Sequence, residues 1–286
     1  MKNYKFLILG SNGLLGSKIV RILKDRKIRY FTVARTNSDF NLDLKNYDKL
    51  EKFFLHKKFD ILINCAAIVN IDFCEKNYND ALIINAHLVK FLAKMSKKHN
   101  FKLIQISTDH VYAGCKKKLN SEKSKIFGVN NYAKSKILGE KYLADLKKYL
   151  IVRTNFTGKK KNSFIDFIIK NLEKNKTIYL FDDMYTSTLD VTSCAKVIID
   201  LSLLKTKGIY NVGSRNMISK KKFAIGISKI MKKKIRFKCL SANILDVPRG
   251  KNLGLNVKKV EKTLGIRMQT SAKSLFNLVK EYKWKF

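Results

Sequence analysis

The segment Gly10-Ser11-Asn12-Gly13-Leu14-Leu15-Gly16 decides the fold that the sequence predicts. A strand-like apolar run, Tyr4–Leu9, precedes it, and a helical pattern over Leu14–Arg26 follows it. In such a G-x-x-G-x-x-G loop the first glycine permits a tight turn, the second lets the backbone approach a pyrophosphate, and the third lets the helix pack against the sheet. The helix N-terminus would offer free N–H groups to the phosphates. The loop therefore predicts a dinucleotide site, and an ordinary strand-to-helix turn is the alternative.

Strand-like and helical patterns alternate along the first two thirds of the chain. Strand-like runs recur at Ile28–Ala34, Ile61–Cys65, Leu103–Ser107 and Tyr149–Arg153, and helical patterns at Lys45–Lys57, Asp80–Lys98 and Asn131–Lys147. This alternation predicts an α/β fold with a doubly wound parallel sheet, the Rossmann arrangement. Ligands of such sheets bind beyond the carboxyl ends of the strands. We therefore expect the chemistry just after Leu9, Ala34, Cys65, Ser107 and Arg153.

The pattern becomes less regular after Arg153, which suggests a second, smaller unit. Helical patterns cover Ser163–Asn175, Val191–Leu204, Ser219–Lys232, Val257–Leu264 and Ser271–Lys280, and a strand-like run covers Gly208–Val212. We expect residues 1–158 to form the dinucleotide-binding domain, with residues 186–215 returning to it. Residues 159–185 and 216–286 would form a mixed substrate-binding lobe.

The charge balance of the 286-residue chain is strongly basic. Lysine and arginine total 60 against 22 acidic residues, a net charge of +38. Only nine of the basic residues are arginines, and the lysines are spread along the whole chain. Because nucleic-acid readers rely on the forked contacts of arginine, the composition favours a lysine-rich surface over nucleic-acid binding. The positive field would still attract small anions such as nucleotides.

The composition also limits the classes of protein to which the chain can belong. Hydrophobic residues make up 45% and charged residues 29%, which excludes a disordered or low-complexity chain. No apolar run approaches the roughly 18 residues of a membrane span, so we expect a soluble cytoplasmic protein without a membrane partner. The oligomeric state stays open, and a homodimer is compatible with the sequence. The cysteines form no C-x-x-C pair and the histidines show no ligand spacing, which predicts a reducing compartment and no metal site: Cys65, Cys74, Cys115, Cys194, Cys239; His56, His87, His99, His110.

The segment Tyr132-Ala133-Lys134-Ser135-Lys136 carries a candidate acid–base pair at the start of a predicted helix. Tyr132 and Lys136 are four residues apart and so share one helix face. A nearby ammonium favours the phenolate, and lowering the pKa of a tyrosine from about 10 to about 7 takes roughly 4 kcal/mol. The ammonium, the positive charge of the oxidised nicotinamide and partial burial would share that stabilisation. The loop Ser107-Thr108-Asp109-His110 leaves the preceding strand, and a hydroxyl there can bind a substrate carbonyl. A polar loop with ordinary helix caps is the alternative.

The end of the second strand bears on the choice of cofactor. Ala34-Arg35-Thr36-Asn37 contains no acidic residue, and the first one is Asp39. An acid at this place would bind the ribose 2′-hydroxyl of NAD, whereas arginine suits the 2′-phosphate of NADP. We therefore expect NADPH in preference to NADH, with a solvated surface role as the alternative for Arg35.

These motifs together resemble the extended short-chain dehydrogenase/reductase superfamily, and within it the dTDP-4-dehydrorhamnose reductases and related nucleotide-sugar reductases. The resemblance implies an NAD(P)H-dependent reductase of a nucleotide-activated 4-keto-6-deoxysugar, as in the biosynthesis of dTDP-rhamnose. Its residues are Asn64-Cys65-Ala66-Ala67 with Asp72 and Glu75, Asn85, Ser107-Thr108-Asp109, Tyr132 with Lys136, Gly139-Glu140, Asp182-Asp183 through Thr188 with Ser187 in place of a proline, and Val247-Pro248-Arg249.

The resemblance also implies residue roles. Thr108 would bind the keto oxygen, Tyr132 would deliver the proton, and Lys136 would bind the nicotinamide ribose and tune Tyr132. The cofactor would further contact Gly10, Asn12, Gly13, Leu14, Leu15, Gly16, Arg35, Asp43, Leu44, Ala66 and Ala67. The substrate would contact Thr108, Asp109, His110, Asn155 and Arg249, the last of these through its diphosphate.

His110 keeps an epimerase alternative open. Related 4,6-dehydratases carry Asp-Glu after the threonine, so the histidine disfavours dehydration. Related epimerase-reductases carry a cysteine near this position that moves a proton beside the carbonyl, and a histidine could do the same. The reductases usually carry tyrosine there, and a hydrogen bond from His110 to the sugar or the backbone is the simpler role. A noncatalytic regulatory subunit that binds dinucleotide and a partner enzyme is a further alternative, and a lysine-driven nucleic-acid binder is the last.

Overall fold

The computed structural model describes residues 4–112, 114, 118–161 and 163–282. Its central sheet has seven parallel strands: β1 (Phe6–Leu9), β2 (Tyr30–Ala34), β3 (Phe40–Asn41), β4 (Ile61–Asn64), β5 (Lys102–Thr108), β6 (Tyr149–Thr154) and β11 (Gly208–Val212). Their order is β11-β6-β5-β4-β1-β2-β3. The strand order reverses between β1 and β4, so the carboxyl ends of these two strands flank a crevice. The predicted doubly wound α/β sheet is confirmed.

Apolar side chains of the strands alternate between two clusters, one on each face of the sheet. Phe6 and Ile8 belong to one cluster, and Leu7 and Leu9 belong to the other. Helices cover both faces, as a parallel sheet requires. The helices of the chain are α1 (Leu14–Asp25), α2 (Tyr47–His56), α3 (Ile71–Lys76), α4 (Tyr78–Leu82), α5 (Leu88–His99), α6 (Asn131–Lys141), α7 (Phe164–Glu173), α8 (Val191–Leu203), α9 (Lys220–Ile230), α10 (Lys258–Leu264) and α11 (Ser271–Glu281).

A smaller lobe packs α7, α9 and α11 around a third apolar cluster that contains Ile168, Ile227 and Leu278. Outside the central sheet the described residues form short strands: β7 (Phe156–Thr157), β8 (Thr177–Phe181), β9 (Tyr185–Thr186), β10 (Leu189–Asp190), β12 (Ile218–Ser219), β13 (Arg236–Leu240) and β14 (Asn252–Leu253). They pair as β10-β7, β13-β8 and β12-β9-β14, with one antiparallel pair, β12 with β9. The division into residues 1–158 with 186–215 and residues 159–185 with 216–286 stays a prediction.

The predicted helix over Asp80–Lys98 is interrupted in the structure. α4 and α5 are joined by a π-helical segment, Ile83–His87. The Asn85 side chain in this segment holds the backbone of Ile68 through two hydrogen bonds of 2.9 Å. Its amide oxygen accepts from the Ile68 N–H, and its amide nitrogen donates to the Ile68 carbonyl. A Cβ atom on Gly139 of α6 would lie 2.3 Å from the Asn85 carbonyl oxygen, so α6 packs directly on the segment. Single-turn π segments are frequent at functional sites.

Two further differences concern helix ends and short elements. α6 ends at Lys141 rather than Lys147, because the chain turns there to bury Leu143 and Leu146 against the sheet. The sequence analysis did not predict α3 or β3, which are short. None of the helices in the described ranges combines the length and the apolar character that a bilayer span requires.

Candidate active site

The glycine loop lies at the carboxyl end of β1, beside the crevice between β1 and β4. Gly10 has a φ of +71°, and a Cβ atom there would lie 2.9 Å from the Ala66 backbone nitrogen. A Cβ atom on Gly16 would lie 2.3 Å from the Gly10 carbonyl oxygen, so only glycine lets α1 pack this closely on the loop. Gly13 caps α1 without a side chain, which leaves the first N–H groups free for a ligand. The buried Ser11 hydroxyl also has no hydrogen-bond partner in the described part of the chain.

The segment after β2 is tied to this loop. The Asn12 side chain donates a hydrogen bond to the Thr36 carbonyl. Arg35 beside it is exposed. Asp39, the first acid after β2, already accepts hydrogen bonds of 2.9 Å and 2.8 Å from the backbone and hydroxyl of Thr32. Arg35 is therefore the free charged group at the place where a ribose 2′-substituent would lie.

The other predicted cofactor residues follow β3 and β4. Asn64 at the end of β4 is buried, donates to Gln105 at 2.9 Å and accepts from the Ala66 backbone at 3.1 Å. This pair fixes the backbone of Ala66 and Ala67 beside Gly10. Leu44 is buried and Asp43 is exposed, both just before α2. These placements are compatible with the predicted contacts, which stay predictions.

The three predicted catalytic residues are buried at the carboxyl end of β5 and in the first turns of α6. Thr108 ends β5, while Tyr132 and Lys136 lie one turn apart on α6. All three are buried, with exposed fractions of 5%, 7% and 3%. The Lys136 ammonium donates a hydrogen bond of 2.7 Å to the Ile106 carbonyl, which anchors it to β5. The arrangement places a hydroxyl, a phenol and an ammonium around one small space.

The pKa values of this group differ from the sequence expectation. Burial raises the pKa of Tyr132 above its usual value, and the Thr108 hydroxyl opposes this effect. Burial lowers the pKa of Lys136 to about 8, while the nearby Glu140 opposes that shift. Lys136 alone thus does not lower the pKa of Tyr132, because exclusion of water dominates and the ammonium is bound to a carbonyl. The contribution expected from the oxidised nicotinamide stays a prediction. Tyr132 therefore keeps its proton at neutral pH.

The loop after β5 is linked through Asp109 to the segments that follow β6 and β9. This side chain is fully buried, and burial raises the pKa of its carboxyl group. One carboxylate oxygen accepts from the Asn155 amide at 2.8 Å, and the Asn155 carbonyl oxygen accepts from the Thr188 hydroxyl at 2.8 Å. Asp109 and Asn155, both predicted to contact substrate, thus bind each other and position the loop that carries Thr108.

His110 and Arg249 lie at the rim of the same space. The His110 backbone N–H donates to the Thr108 hydroxyl at 3.2 Å, and its ring meets the Tyr132 ring edge-on at 5.8 Å. Burial lowers the pKa of His110, so its imidazole is neutral. Arg249 contacts the two carboxylate oxygens of Asp72 at 3.1 Å and 3.3 Å.

The sequence analysis missed two features of the site. The first is a buried ion pair between Arg153 of β6 and Glu140 of α6, at 2.6 Å. The spacing of Glu140 four residues after Lys136 is a signal that could have indicated it. The second is Lys220, the first residue of α9, whose charge acts on Asp109 and His110. Because lysines are frequent along the whole sequence, no sequence pattern distinguishes Lys220 from the others.

Within the described part of the chain, no group of three His, Cys, Asp or Glu side chains could hold a metal ion. Cys65, Cys74, Cys194 and Cys239 are free thiols. Cys115 lies outside the described residues. Burial raises the pKa of the Cys194 thiol to about 12, which makes it a poor nucleophile.

The chain is similar in sequence to one known protein family and to several named proteins. A family model described as the RmlD substrate binding domain matches residues 4–284. A dTDP-4-dehydrorhamnose reductase of Aggregatibacter actinomycetemcomitans is 33% identical over 176 residues, 61% of this chain and 58% of that protein. The spore coat polysaccharide biosynthesis protein SpsK of Bacillus subtilis is 28% identical over 225 residues, 78% of each chain. The match to the first of these relatives thus spans less than two thirds of its length.

Solved structures with the same fold cover nearly the whole chain. The dTDP-4-dehydrorhamnose reductase of Bacillus anthracis in complex with NADP has a TM-score of 0.89 and 26% identity, over 97% of this chain and 98% of that chain. The orthologue from Clostridium acetobutylicum has a TM-score of 0.89 and 25% identity, over 98% and 99%. These matches confirm the resemblance stated from the sequence motifs. Because the family model covers residues 4–284, the chain belongs to the RmlD substrate binding domain family of the extended short-chain dehydrogenase/reductases.

Proposed function

We propose that the protein is an NADPH-dependent reductase of a nucleotide-activated 4-keto-6-deoxysugar, with a dTDP-4-dehydrorhamnose-like substrate. The observation that carries the proposal is that Thr108 and Tyr132 are buried next to each other, with Lys136 buried one turn further along α6 and bound to β5. Relatives named dTDP-4-dehydrorhamnose reductase support the substrate class. The related structure with NADP supports the cofactor.

The residues of the loop fit a dinucleotide. The close approach at Gly10 and Gly16, the open N-terminus of α1 and the unpartnered Ser11 hydroxyl together form a cradle for a pyrophosphate. Arg35 would meet the ribose 2′-phosphate of NADPH, and Ala66 would contact the cofactor through its backbone. When bound, the reduced nicotinamide supplies the hydride.

Side chains of this protein would bind the keto oxygen of the substrate and protonate it. Thr108 and Tyr132 donate hydrogen bonds to the keto oxygen, and Tyr132 gives its proton to the alkoxide that forms. The raised pKa of Tyr132 suits this direction, because the phenol is protonated when the reaction begins. Lys136 orients the nicotinamide ribose, and its ammonium stabilises the negative charge that develops nearby.

Absorbance of the reduced cofactor tests the proposed function. We expect the purified protein to oxidise NADPH in the presence of a dTDP-4-keto-6-deoxysugar, and to do so faster than it oxidises NADH, because Arg35 rather than an acid follows β2. The assay uses a small panel of nucleotide 4-keto-6-deoxysugars with both cofactors. Cofactor binding without oxidation across the panel would contradict the reductase and would favour the noncatalytic regulatory role.

His110 is the residue on which the epimerase alternative depends. Replacing His110 with Asn is expected to lower the rate of reduction by less than about 10-fold, since Tyr132 delivers the proton and His110 contributes only a hydrogen bond. In deuterated water the wild-type protein should introduce no deuterium at the carbon beside the carbonyl, as followed by NMR. Exchange by the wild type that disappears in His110→Asn would instead identify His110 as an epimerising base.

A cytoplasmic location and a homodimeric state remain predictions from the sequence. The substrate class that we propose is a nucleotide sugar, and no nucleic-acid partner is proposed. The basic surface of the chain, with its net charge of +38, would instead favour the approach of a substrate that carries a diphosphate.

A further inference from the structure

Lys220 presents an ammonium group at the boundary between the smaller lobe and the catalytic space. It is the first residue of α9, and its backbone N–H donates a hydrogen bond of 3.0 Å to the Met184 carbonyl. Its Nζ atom lies 4.9 Å from the centre of the Phe164 ring. Among the described residues no carboxylate oxygen lies within 4.0 Å of this atom. The ammonium is thus held in place without an ion-pair partner.

The charges that act on Lys220 come from two other segments. Burial lowers the pKa of Lys220 most strongly, and the charge of Arg249 lowers it further. The carboxylate of Asp109, in the turn after β5, opposes them and raises it. Asp109 is already bound to the Asn155 amide, at 2.8 Å. The Lys220 ammonium is therefore attracted by one carboxylate, Asp109, that is engaged elsewhere, and is repelled by Arg249, which has Asp72 as its own ion-pair partner. Removing an ammonium from water without a counterion is costly, so an anion at this place would offset the cost.

Two neighbouring nitrogen atoms also lack partners. His110 Nδ1 and Arg249 Nε are buried and make no hydrogen bond to any described residue, although the guanidinium of Arg249 reaches Asp72 through its other end. Buried polar atoms without partners are rare in folded proteins and call for an explanation such as an absent ligand. Lys220, Arg249 and His110 come from three different segments. The charges of Lys220 and Arg249 act on His110, and the His110 ring packs edge-on against Tyr132.

We propose that Lys220, together with Arg249 and His110, forms a subsite that binds an anionic oxygen group of the nucleotide-activated substrate. This inference rests on the proposed function and deepens it, because it assigns a residue to recognition of the substrate. Two parts of such a substrate could supply the anion: the diphosphate, or a carboxylate carried by the sugar. Both offer the same chemistry to an ammonium and a guanidinium.

Calorimetry on the NADPH-loaded protein tests the subsite without turnover. The probes are dTDP-glucose and dTDP-glucuronate, which share the nucleotide and diphosphate and differ in the sugar carboxylate. Neither is a 4-ketosugar, so binding is read independently of whether the protein reduces anything. Lys220→Met removes the charge at similar volume, and Lys220→Arg keeps it. Lys221→Met is the matched control, because this neighbour is half exposed and its ammonium lies 3.7 Å from Asp182.

We expect Lys220→Met to weaken binding of at least one probe by about 10-fold to 100-fold, as expected for loss of a charged hydrogen bond. Equal weakening for both probes assigns the anion to the diphosphate, and weakening confined to dTDP-glucuronate assigns it to the carboxylate. Lys220→Arg should restore most of the affinity, and Lys221→Met should bind as the wild type does.

The proposal is overturned if Lys220→Met binds both probes within twofold of the wild type, or if the wild-type protein binds neither. Affinity for NADPH and the thermal midpoint, measured on the same samples, show whether each variant is folded. If Lys220→Met does not fold, Lys220→Gln is measured with the same two probes and the same criteria. If calorimetry gives the expected result but no sugar in the panel is reduced, the anion subsite is supported and only the proposed reductase activity is contradicted.

Discussion

Replacing Tyr132 with phenylalanine is expected to lower the rate of ketone reduction by about 10²- to 10⁴-fold, the usual contribution of a positioned proton donor. The phenol is buried beside Thr108, and its raised pKa keeps it protonated at neutral pH. Phenylalanine fills the same volume but cannot give a proton to the alkoxide. The Thr108 hydroxyl can still donate a hydrogen bond, so a residual rate should persist.

Loss of NADPH absorbance measures this effect, and the affinity for NADPH should change by less than about twofold because the phenol ring itself is retained. Tyr142→Phe is the matched control. Tyr142 follows the last residue of α6, is half exposed, and lies under the Lys90 ammonium rather than in the catalytic space. We expect that variant to react at the wild-type rate. Wild-type reduction by Tyr132→Phe would show that another group delivers the proton.

Much of the sheet could be predicted because its signals are local. Each buried strand is a short apolar run in the sequence. The glycine loop is recognised from the strand-like run before it and the helical pattern after it. The break at Ile83–His87 could not be predicted from periodicity, since its apolar residues continue the helical spacing. Its cause is tertiary: Asn85 binds the backbone of Ile68, and Gly139 of a distant helix packs against it.

The catalytic residues could be predicted because strand ends in a parallel sheet converge at one edge. The environment of those residues could not. Burial reverses the expected pKa shift of Tyr132, and burial depends on how α6 packs against β5. Lys220 reaches the site from a helix 84 residues beyond Lys136, in a lobe whose docking no local pattern describes. Arg249 was predicted from a motif, whereas its contact with Asp72 follows only from the fold.

The buried ion pair behind the site is expected to have the largest effect on stability. Arg153 and Glu140 have exposed fractions of 2% and 6%, and three hydrogen bonds of 2.6–3.2 Å join them. Replacing Arg153 with Met should lower the free energy of unfolding by about 3–5 kcal/mol, because it leaves the Glu140 carboxylate buried without its ion-pair partner, although the Ser107 hydroxyl still donates to it at 2.5 Å. Urea titration followed by circular dichroism measures the change. Glu51→Gln is the control, since the exposed Lys98–Glu51 pair is screened by water and its loss should leave the urea midpoint unchanged.

The double variant Glu140→Gln with Arg153→Met separates the cost of an orphaned charge from the value of the pair. Because it removes both buried charges, we expect it to be more stable than Arg153→Met alone. An additive loss would mean instead that each side chain stabilises the fold independently, through contacts such as the 3.1 Å hydrogen bond from Arg153 to Tyr112. The pair joins α6, which carries Tyr132 and Lys136, to β6, and Ser107 extends it to β5. The double variant should therefore still reduce substrate more slowly than the wild type even where its stability recovers, because the catalytic helix has lost its fixed position on the sheet.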